Sequence, residues 1–165
     1  RDLHEPYRRL RQMCIRDRSI IGESKKNEGL DSITFTLKDG TRKTAIVKAT
    51  SFYNPNDSVS GNGIKLVFLV DNRRIGIANI SGIDTDMPFM YDFEVNEKYR
   101  GQGYGSAILD YCIKKYKVND LSVSPSNKNA ISLYKKHGFK KRFDYKDGKE
   151  TLTYMQIHKR GYEDR

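Results

Sequence analysis

The chain has little of what marks membrane, disulfide-bonded or metal-binding proteins. Its two cysteines, Cys14 and Cys112, are too far apart for a metal-binding motif. Cys112 falls on the apolar face of a helix-type pattern, where a thiol packs as a small hydrophobic group. The sequence also lacks a run of about 18 apolar residues and an apolar core behind a basic start. We therefore expect no disulfide, no metal site, no membrane span and a cytoplasmic location.

Two common phosphate-binding motifs are missing as well. The P-loop needs Gly-Lys-Ser/Thr, which does not occur, and Ser106 stands where the dinucleotide fingerprint needs its third glycine. What is present is Arg100-Gly101-Gln102-Gly103-Tyr104-Gly105, between a strand-like run (89–95) and a helical run (107–116). A glycine turn that opens a helix offers unpaired N–H groups and the positive end of the helix dipole. This stretch predicts an anion site, with phosphate as the natural ligand.

The charge is strongly basic. Lys and Arg total 31 against 21 Asp and Glu, a net charge of +10, which attracts anionic ligands and nucleic acid. Part of the excess lies between Lys135 and Lys149. That segment is either a solvated face or a surface that holds the phosphates of a ligand or of RNA.

The length of 165 residues fits one domain with a real core. Residues 1–30 are expected to be an N-terminal segment that is partly disordered or artefactual, and residues 31–160 the single domain. The hexapeptide Met13 to Arg18 resembles the translation of a transposase adapter used in sequencing libraries. We therefore interpret the segment around it as an assembly artefact.

The hydrophobic pattern predicts hairpins followed by two helices. Alternation over 33–37 and 45–49, and over 65–70 and 75–80, is typical of strands joined at Asp39-Gly40 and Asp71-Asn72. Residues 54–63 have the composition of a loop. Apolar residues at helical spacing follow in 107–116 and 130–137, with Asn127 as an N-cap and Gly138 as the helix end. Residues 139–143 and 151–158, joined through Asp147-Gly148, predict a terminal hairpin.

A second motif lies at a fixed distance from the glycine turn. Residues 127–139 read Asn-x-x-Ala-x-x-Leu-Tyr-x-x-x-Gly-Phe and follow a short apolar strand, Leu121 to Val123. Together with the turn, this segment resembles the GNAT superfamily of N-acetyltransferases. The resemblance runs from about Phe89 to Phe139.

The resemblance implies an α/β (α+β) fold with a mixed, mostly antiparallel central sheet, helices on both faces, and a splayed pair of parallel strands that binds CoA. It implies acetyl-CoA as co-substrate, with its pantetheine arm threaded between strands 89–95 and 121–124, beside a bulge in the first. The residues it assigns to acetyl-CoA are Phe93, Val95, Arg100, Gly101, Gln102, Gly103, Tyr104, Gly105, Ser106, Asn127 and Tyr134. We also expect a side chain at Gly103 to occupy the phosphate position.

Acetyl transfer expels a thiolate, which leaves more readily beside a proton donor. The resemblance makes Tyr134 that general acid, although its place on the apolar stripe also fits a core residue. The base is open. Asp92 and Glu94 lie on the strand that would edge the site, Ser122 stands where some relatives carry glutamate, and a water chain is an alternative. Glu94 is our candidate, while His137 and His158 fit structural roles better.

The sequence thus predicts an acetyl-CoA-dependent N-acetyltransferase, acting as a monomer or homodimer. The acceptor amine is left open among a small molecule, a protein and an aminoacyl-tRNA. The alternative is a basic nucleic-acid-binding or phage accessory protein that keeps the fold without catalysis.

Overall fold

A computed structural model describes residues 28–53 and 61–158. They form one eight-stranded sheet in the order β1-β2-β3-β4-β5-β6-β8-β7. Between β5 and β6 comes helix α1, and between β6 and β7 helix α2; a 3₁₀ turn, Glu97–Tyr99, follows β5. The strands and helices are β1 Glu28–Thr36, β2 Arg42–Tyr53, β3 Asn62–Val70, β4 Arg73–Ser81, β5 Phe89–Val95, α1 Tyr104–Tyr116, β6 Asp120–Val123, α2 Lys128–Lys136, β7 Lys140–Asp147 and β8 Glu150–Gln156. The adapter-like hexapeptide and Cys14 lie outside the described residues.

The first five strands form antiparallel neighbours, as the alternating pattern predicts. Asp71 and Asn72 both have positive φ, 52° and 61°, as the tight turn between paired strands requires. The strands are longer than predicted, because β-pairing continues through residues whose side chains alternate less clearly. In particular β3 begins at Asn62, so the last two residues of the predicted loop over 54–63 belong to a strand instead.

The main core lies between the sheet and the two helices. Ile108, Leu109 and Cys112 of α1 and Tyr134 of α2 are buried in one cluster with side chains from all three central hairpin strands β2, β3 and β4. Cys112 is fully buried, which confirms its expected place on the apolar face. Both described helices contribute to this cluster. The family resemblance predicts helices on both faces of the sheet, and a helix on the opposite face is not among the described residues. None of the described helices is long and apolar enough to cross a bilayer.

The parallel pair, β5 and β6, separates after two residues. Phe89 pairs with Asp120 and Met90 with Leu121, and there the pairing ends. On its other edge β5 pairs with β4, whose register shifts so that Asn79 faces Asp92 and Ile80 faces Met90. Tyr91 is therefore the extra residue of a β-bulge. A bulge bends its strand, and this one lies at the point where β5 and β6 part. The predicted mixed, mostly antiparallel sheet with a parallel pair is confirmed.

The terminal hairpin places β8 beside β6 and β7 at the sheet edge. A second, smaller aromatic cluster forms on this side of the molecule. Phe89, Tyr145 and Tyr154 are buried there, with Tyr91 and Phe143 packed against them. Tyr154 also bonds Asp120, which accepts a second hydrogen bond from Gln156 Nε2 at 2.8 Å, so the start of β6 is held firmly by the hairpin.

Candidate active site

The glycine turn leads from β5 into α1. Gly101 and Gly103 have positive φ, 77° and 111°, and Gly103 is the N-cap of the helix. Among the described residues, no backbone hydrogen bond is donated by the N–H groups from Gly101 to Ser106. Six consecutive donors thus stand at the positive end of a 13-residue helix, which is an arrangement suited to a phosphate anion.

The turn is anchored from outside by the β1–β2 connection. The Lys38 N–H donates to the Gln102 carbonyl at 2.9 Å, and Gln102 Nε2 donates to the Lys98 carbonyl at 3.0 Å. The Arg100 side chain turns back to the end of β5, where Nε donates to the Val95 carbonyl at 2.9 Å. These contacts hold the turn in shape, so its free N–H groups are preorganised.

Each glycine of the turn meets a different requirement. A Cβ at Gly103 would lie 3.4 Å from Lys38 N and 3.5 Å from Leu37 Cα, so a side chain there meets the β1–β2 turn, and its expected place in the phosphate position stays a prediction. A Cβ at Gly105 would lie 3.2 Å from Leu133 Cδ2 and 3.3 Å from Val95 Cγ2. Gly105 therefore lets α1 pack closely on β5 and α2. Of the three glycines in this turn, only Gly101 has no described atom within 4 Å of an added Cβ.

The side chains of Tyr104 and Ser106 are used for structure. The ring of Tyr104 is buried between Phe35 and Tyr99, with ring centroids 5.7 and 5.4 Å away. Ser106 Oγ lies 2.8 Å from His137 Nε2, and burial lowers the pKa of His137. His137 at the end of α2 thus links the two helices as a neutral ring. For Tyr104 and Ser106, the backbone N–H is therefore the group left to bind an anion.

A cavity of about 220 Å³ opens where β5 and β6 part. Its walls come from β5, β6, α2 with its N-cap, and the terminal hairpin. They are Tyr91, Asp92, Phe93, Ser122, Val123, Ser124, Asn127, Tyr134, Asp147 and Leu152. The cavity thus joins five residues singled out from the sequence, although several are far apart in the chain: Asp92, Phe93, Ser122, Asn127 and Tyr134. Beyond Met90 the edge of β5 that faces β6 has no β6 partner.

Tyr134 lies in the wall of this cavity and is 3% exposed. Its ring meets Phe93 and Phe139 edge to face, at centroid distances of 5.8 and 5.9 Å. Burial raises its pKa, so the hydroxyl keeps its proton at neutral pH. Both interpretations of Tyr134 are thus compatible, because the ring is part of the core and the residue also lines the cavity.

Asn127 is the N-cap of α2, as predicted. Its Oδ1 accepts a hydrogen bond from the Ala130 N–H at 3.2 Å. Capping uses the amide oxygen, and none of the described residues takes a hydrogen bond from the amide nitrogen. Since Asn127 also lines the cavity, its NH₂ group is placed to donate to a ligand there.

The carboxylates of β5 lie on the strand face opposite Phe93. Asp92 accepts a hydrogen bond from Asn79 Nδ2 at 3.1 Å and lines the cavity. Glu94 is exposed and is not part of the cavity wall. Ser122, at the position where some relatives carry glutamate, bonds Tyr145 through its hydroxyl at 2.6 Å. No group of three His, Cys, Asp or Glu side chains converges among the described residues.

The exposed face of α2 carries a shallow concavity of about 520 Å³. It is lined by Lys128, Ile131, Ser132, Lys135 and Lys136. Three of these five residues are lysines, and two of them belong to the basic segment noted in the sequence. This surface places positive charge on α2, the helix that also carries Tyr134.

Comparison with known proteins places these features in a family. Residues 39–139 match the profile of the Acetyltransferase (GNAT) family, so the chain belongs to that family. The expected superfamily is thereby confirmed. No curated protein sequence matches the chain.

A solved structure agrees on the fold, and others are similar over part of the chain. The GNAT domain of S. lividans PAT superposes with a TM-score of 0.55 at 14% identity, covering 75% of this chain and 94% of that one. A GNAT acetyltransferase from Streptococcus pneumoniae has a TM-score of 0.48 at 22% identity, over 56% of this chain and 64% of its own. One from Elizabethkingia anophelis, solved with acetyl-CoA bound, has a TM-score of 0.48 at 19% identity, over 58% and 75%. The chain spans less than two thirds of the S. pneumoniae relative.

Proposed function

We propose that the chain transfers an acetyl group from acetyl-CoA to an amine. The observation that carries this proposal is the parting of β5 and β6 at the Tyr91 bulge, which opens a cavity lined by Tyr134 and Asn127. The strand that borders this cavity also leads into the glycine turn, so one ligand can reach both. A long ligand with a phosphate part and a reactive end fits this arrangement, and acetyl-CoA has that form.

In this proposal the N–H groups from Gly101 to Ser106 hold the pyrophosphate. The pantetheine amides pair with the free edge of β5 near Phe93 and Val95, and Arg100 keeps the end of that strand in place. The Asn127 NH₂ group donates to the thioester arm. The site thus holds the thioester in line with an incoming amine, which is the main requirement of this reaction.

The chemical step exchanges two bonds at the carbonyl carbon. The amine nitrogen forms the new C–N bond as the C–S bond breaks, and the Tyr134 hydroxyl gives its proton to the departing thiolate. The proton that the nitrogen sheds goes to a base or to water. Glu94 remains our candidate from the sequence and would act through a water, since it stands outside the cavity wall. Asp92, which lines the cavity, is the alternative.

A transfer assay tests the proposal. The chain is incubated with acetyl-CoA and a panel of primary amines, and free CoA thiol and acetylated amine are measured together. We expect both products in equal amounts with at least one amine. Binding of acetyl-CoA without any transfer to small amines, proteins or aminoacyl-tRNA would favour the non-catalytic alternative. The acceptor class, the cytoplasmic location and the oligomeric state stay predictions.

A further inference from the structure

Asp147 stands in the cavity wall, although the sequence indicates only a turn residue there. It ends β7, next to the hairpin turn, and lines the cavity together with Asp92. The residue is 6% exposed. Its Oδ2 is buried and has no hydrogen-bond partner in the described part of the chain. A buried carboxylate oxygen without a partner is costly, and its place in a cavity wall points to a ligand that supplies the partner.

The position of Asp147 relative to the sheet indicates which reactant it meets. Tyr145, two residues earlier on β7 and thus on the same strand face, belongs to the second aromatic cluster and bonds Ser122. Tyr134 belongs instead to the main core on the helix side. The cavity therefore runs through the gap between the strands. The glycine turn opens α1, a helix packed in the main core. A ligand held by this turn reaches the cavity from the helix side, which leaves the Asp147 side for the second reactant.

The charges of the cavity wall select for a cation. Its lining residues include two carboxylates, Asp92 and Asp147, and no Lys, Arg or His, in a chain whose net charge is +10. Tyr91 lines the same cavity, and the faces of aromatic rings attract ammonium groups. An anionic acceptor would meet like charge here, whereas a protonated amine would find a counter-ion.

We propose that Asp147 is the counter-ion for the ammonium group of the acceptor, and that the acceptor is a small cationic amine entering from the face opposite the helices. This inference rests on the proposed acetyl transfer for the identity of the second reactant. The binding of an ammonium ion to Asp147 can nevertheless be measured without acetyl-CoA.

The test compares D147N with D144N in thermal unfolding. Asp144 lies on the same strand with its carboxylate bonded to Thr153 and Lys141, outside the cavity. The probes are n-butylammonium chloride and, as the neutral analogue, butan-1-ol, with sodium chloride at matched ionic strength. We expect butylammonium to raise the Tm of the parent and of D144N by at least about 2 °C at saturation, and to leave that of D147N unchanged. Butan-1-ol should not distinguish the three chains.

A second measurement uses the amine that the transfer assay identifies. D147N should raise the KM for that amine at least tenfold and leave the KM for acetyl-CoA within about twofold. If D147N does not fold, Asp147→Ser replaces it in both experiments. No butylammonium shift in the parent, or equal shifts in parent and D147N, overturns the role of Asp147. If acetyl-CoA does not bind but the shift depends on Asp147, the amine site stands and the proposed acetyl transfer fails.

Discussion

At the scale of single residues, Tyr134 combines a place in the core with a place in the cavity wall. Its ring lies between Phe93 and Phe139, and the residue also lines the cavity between β5 and β6. Because burial raises its pKa, the hydroxyl is a stable proton donor across the neutral range. The hydroxyl is thus protonated when the leaving group forms, as the proposed general acid must be, and the raised pKa also makes it a weaker acid than an exposed phenol.

Replacing Tyr134 with Phe keeps the ring contacts and removes only the donor. General acid catalysis typically contributes on the order of 10²–10⁴ in rate, so we expect Tyr134→Phe to lower kcat by about that factor and to leave the Kd for acetyl-CoA nearly unchanged. The matched control is Tyr99→Phe, a half-buried tyrosine outside the cavity wall. A kcat within about threefold of the parent would make Tyr134 a core residue only.

At the scale of elements, α2 is fixed at both ends by residues that the sequence marks. Asn127 caps its start, and Gly138 follows its end with a φ of 94°, a conformation that glycine adopts without strain. The helix therefore holds Tyr134 at a set depth against β5. The capping residue borders the same cavity, so in the proposed function it links helix stability to ligand binding.

Two substitutions of Asn127 separate these roles. Asn127→Ala removes the cap and should lower the free energy of unfolding by about 1 kcal/mol, whereas Asn127→Asp keeps a capping oxygen and should change it by less than about 0.5 kcal/mol. Both remove the NH₂ donor, so both should weaken acetyl-CoA binding in calorimetry. If Asn127→Asp binds acetyl-CoA as tightly as the parent, the amide does not contact the thioester arm.

The sequence predicts α1, α2 and β5 well because their signals are local. Apolar spacing, an N-cap and glycines lie within each element or next to it. Asp147 could not be found in this way. Its place in the cavity depends on β8 inserting between β6 and β7, a long-range pairing that no local pattern encodes. The hydrogen bond from Lys38 to Gln102 has the same origin, since the two residues meet only when the β1–β2 turn reaches the start of α1.

At the scale of the whole molecule, the buried thiol of Cys112 makes stability depend on pH. Burial raises its pKa to about 12, above the ordinary value of about 8.5. As the pH rises past that ordinary value, the unfolded chain loses the thiol proton first. The stabilising contribution is therefore complete below about pH 8.5 and is lost as the pH approaches 12.

Urea unfolding at pH 8 and pH 10 measures this effect. Between these values the parent should lose about 2 kcal/mol more of its free energy of unfolding than Cys112→Ala does. Buried tyrosines such as Tyr134 titrate in both chains, so their contribution cancels in the comparison. Equal losses in the two chains would mean that the Cys112 thiol ionises as readily in the folded protein as in the unfolded one.

Basic and acidic side chains line different surfaces of the molecule. Basic side chains line the outer face of α2, whereas the cavity between β5 and β6 has carboxylates in its wall. In the reaction that we propose, a polyanionic co-substrate and a cationic acceptor would be drawn to different sides of the site. This separation suits a transferase that must bind both at once.

The central claim is that the glycine turn holds the pyrophosphate of acetyl-CoA, and Gly101 offers the most direct test. Its φ of 77° suits Asn and Asp better than other side chains, and an added Cβ meets no described atom within 4 Å. Calorimetric titration of acetyl-CoA should show Gly101→Asn binding within about threefold of the parent. Gly101→Asp should bind at least tenfold more weakly than Gly101→Asn, about 1.4 kcal/mol, because only the carboxylate repels phosphate. No binding by the parent, or equal affinities for the two variants, would contradict the claim.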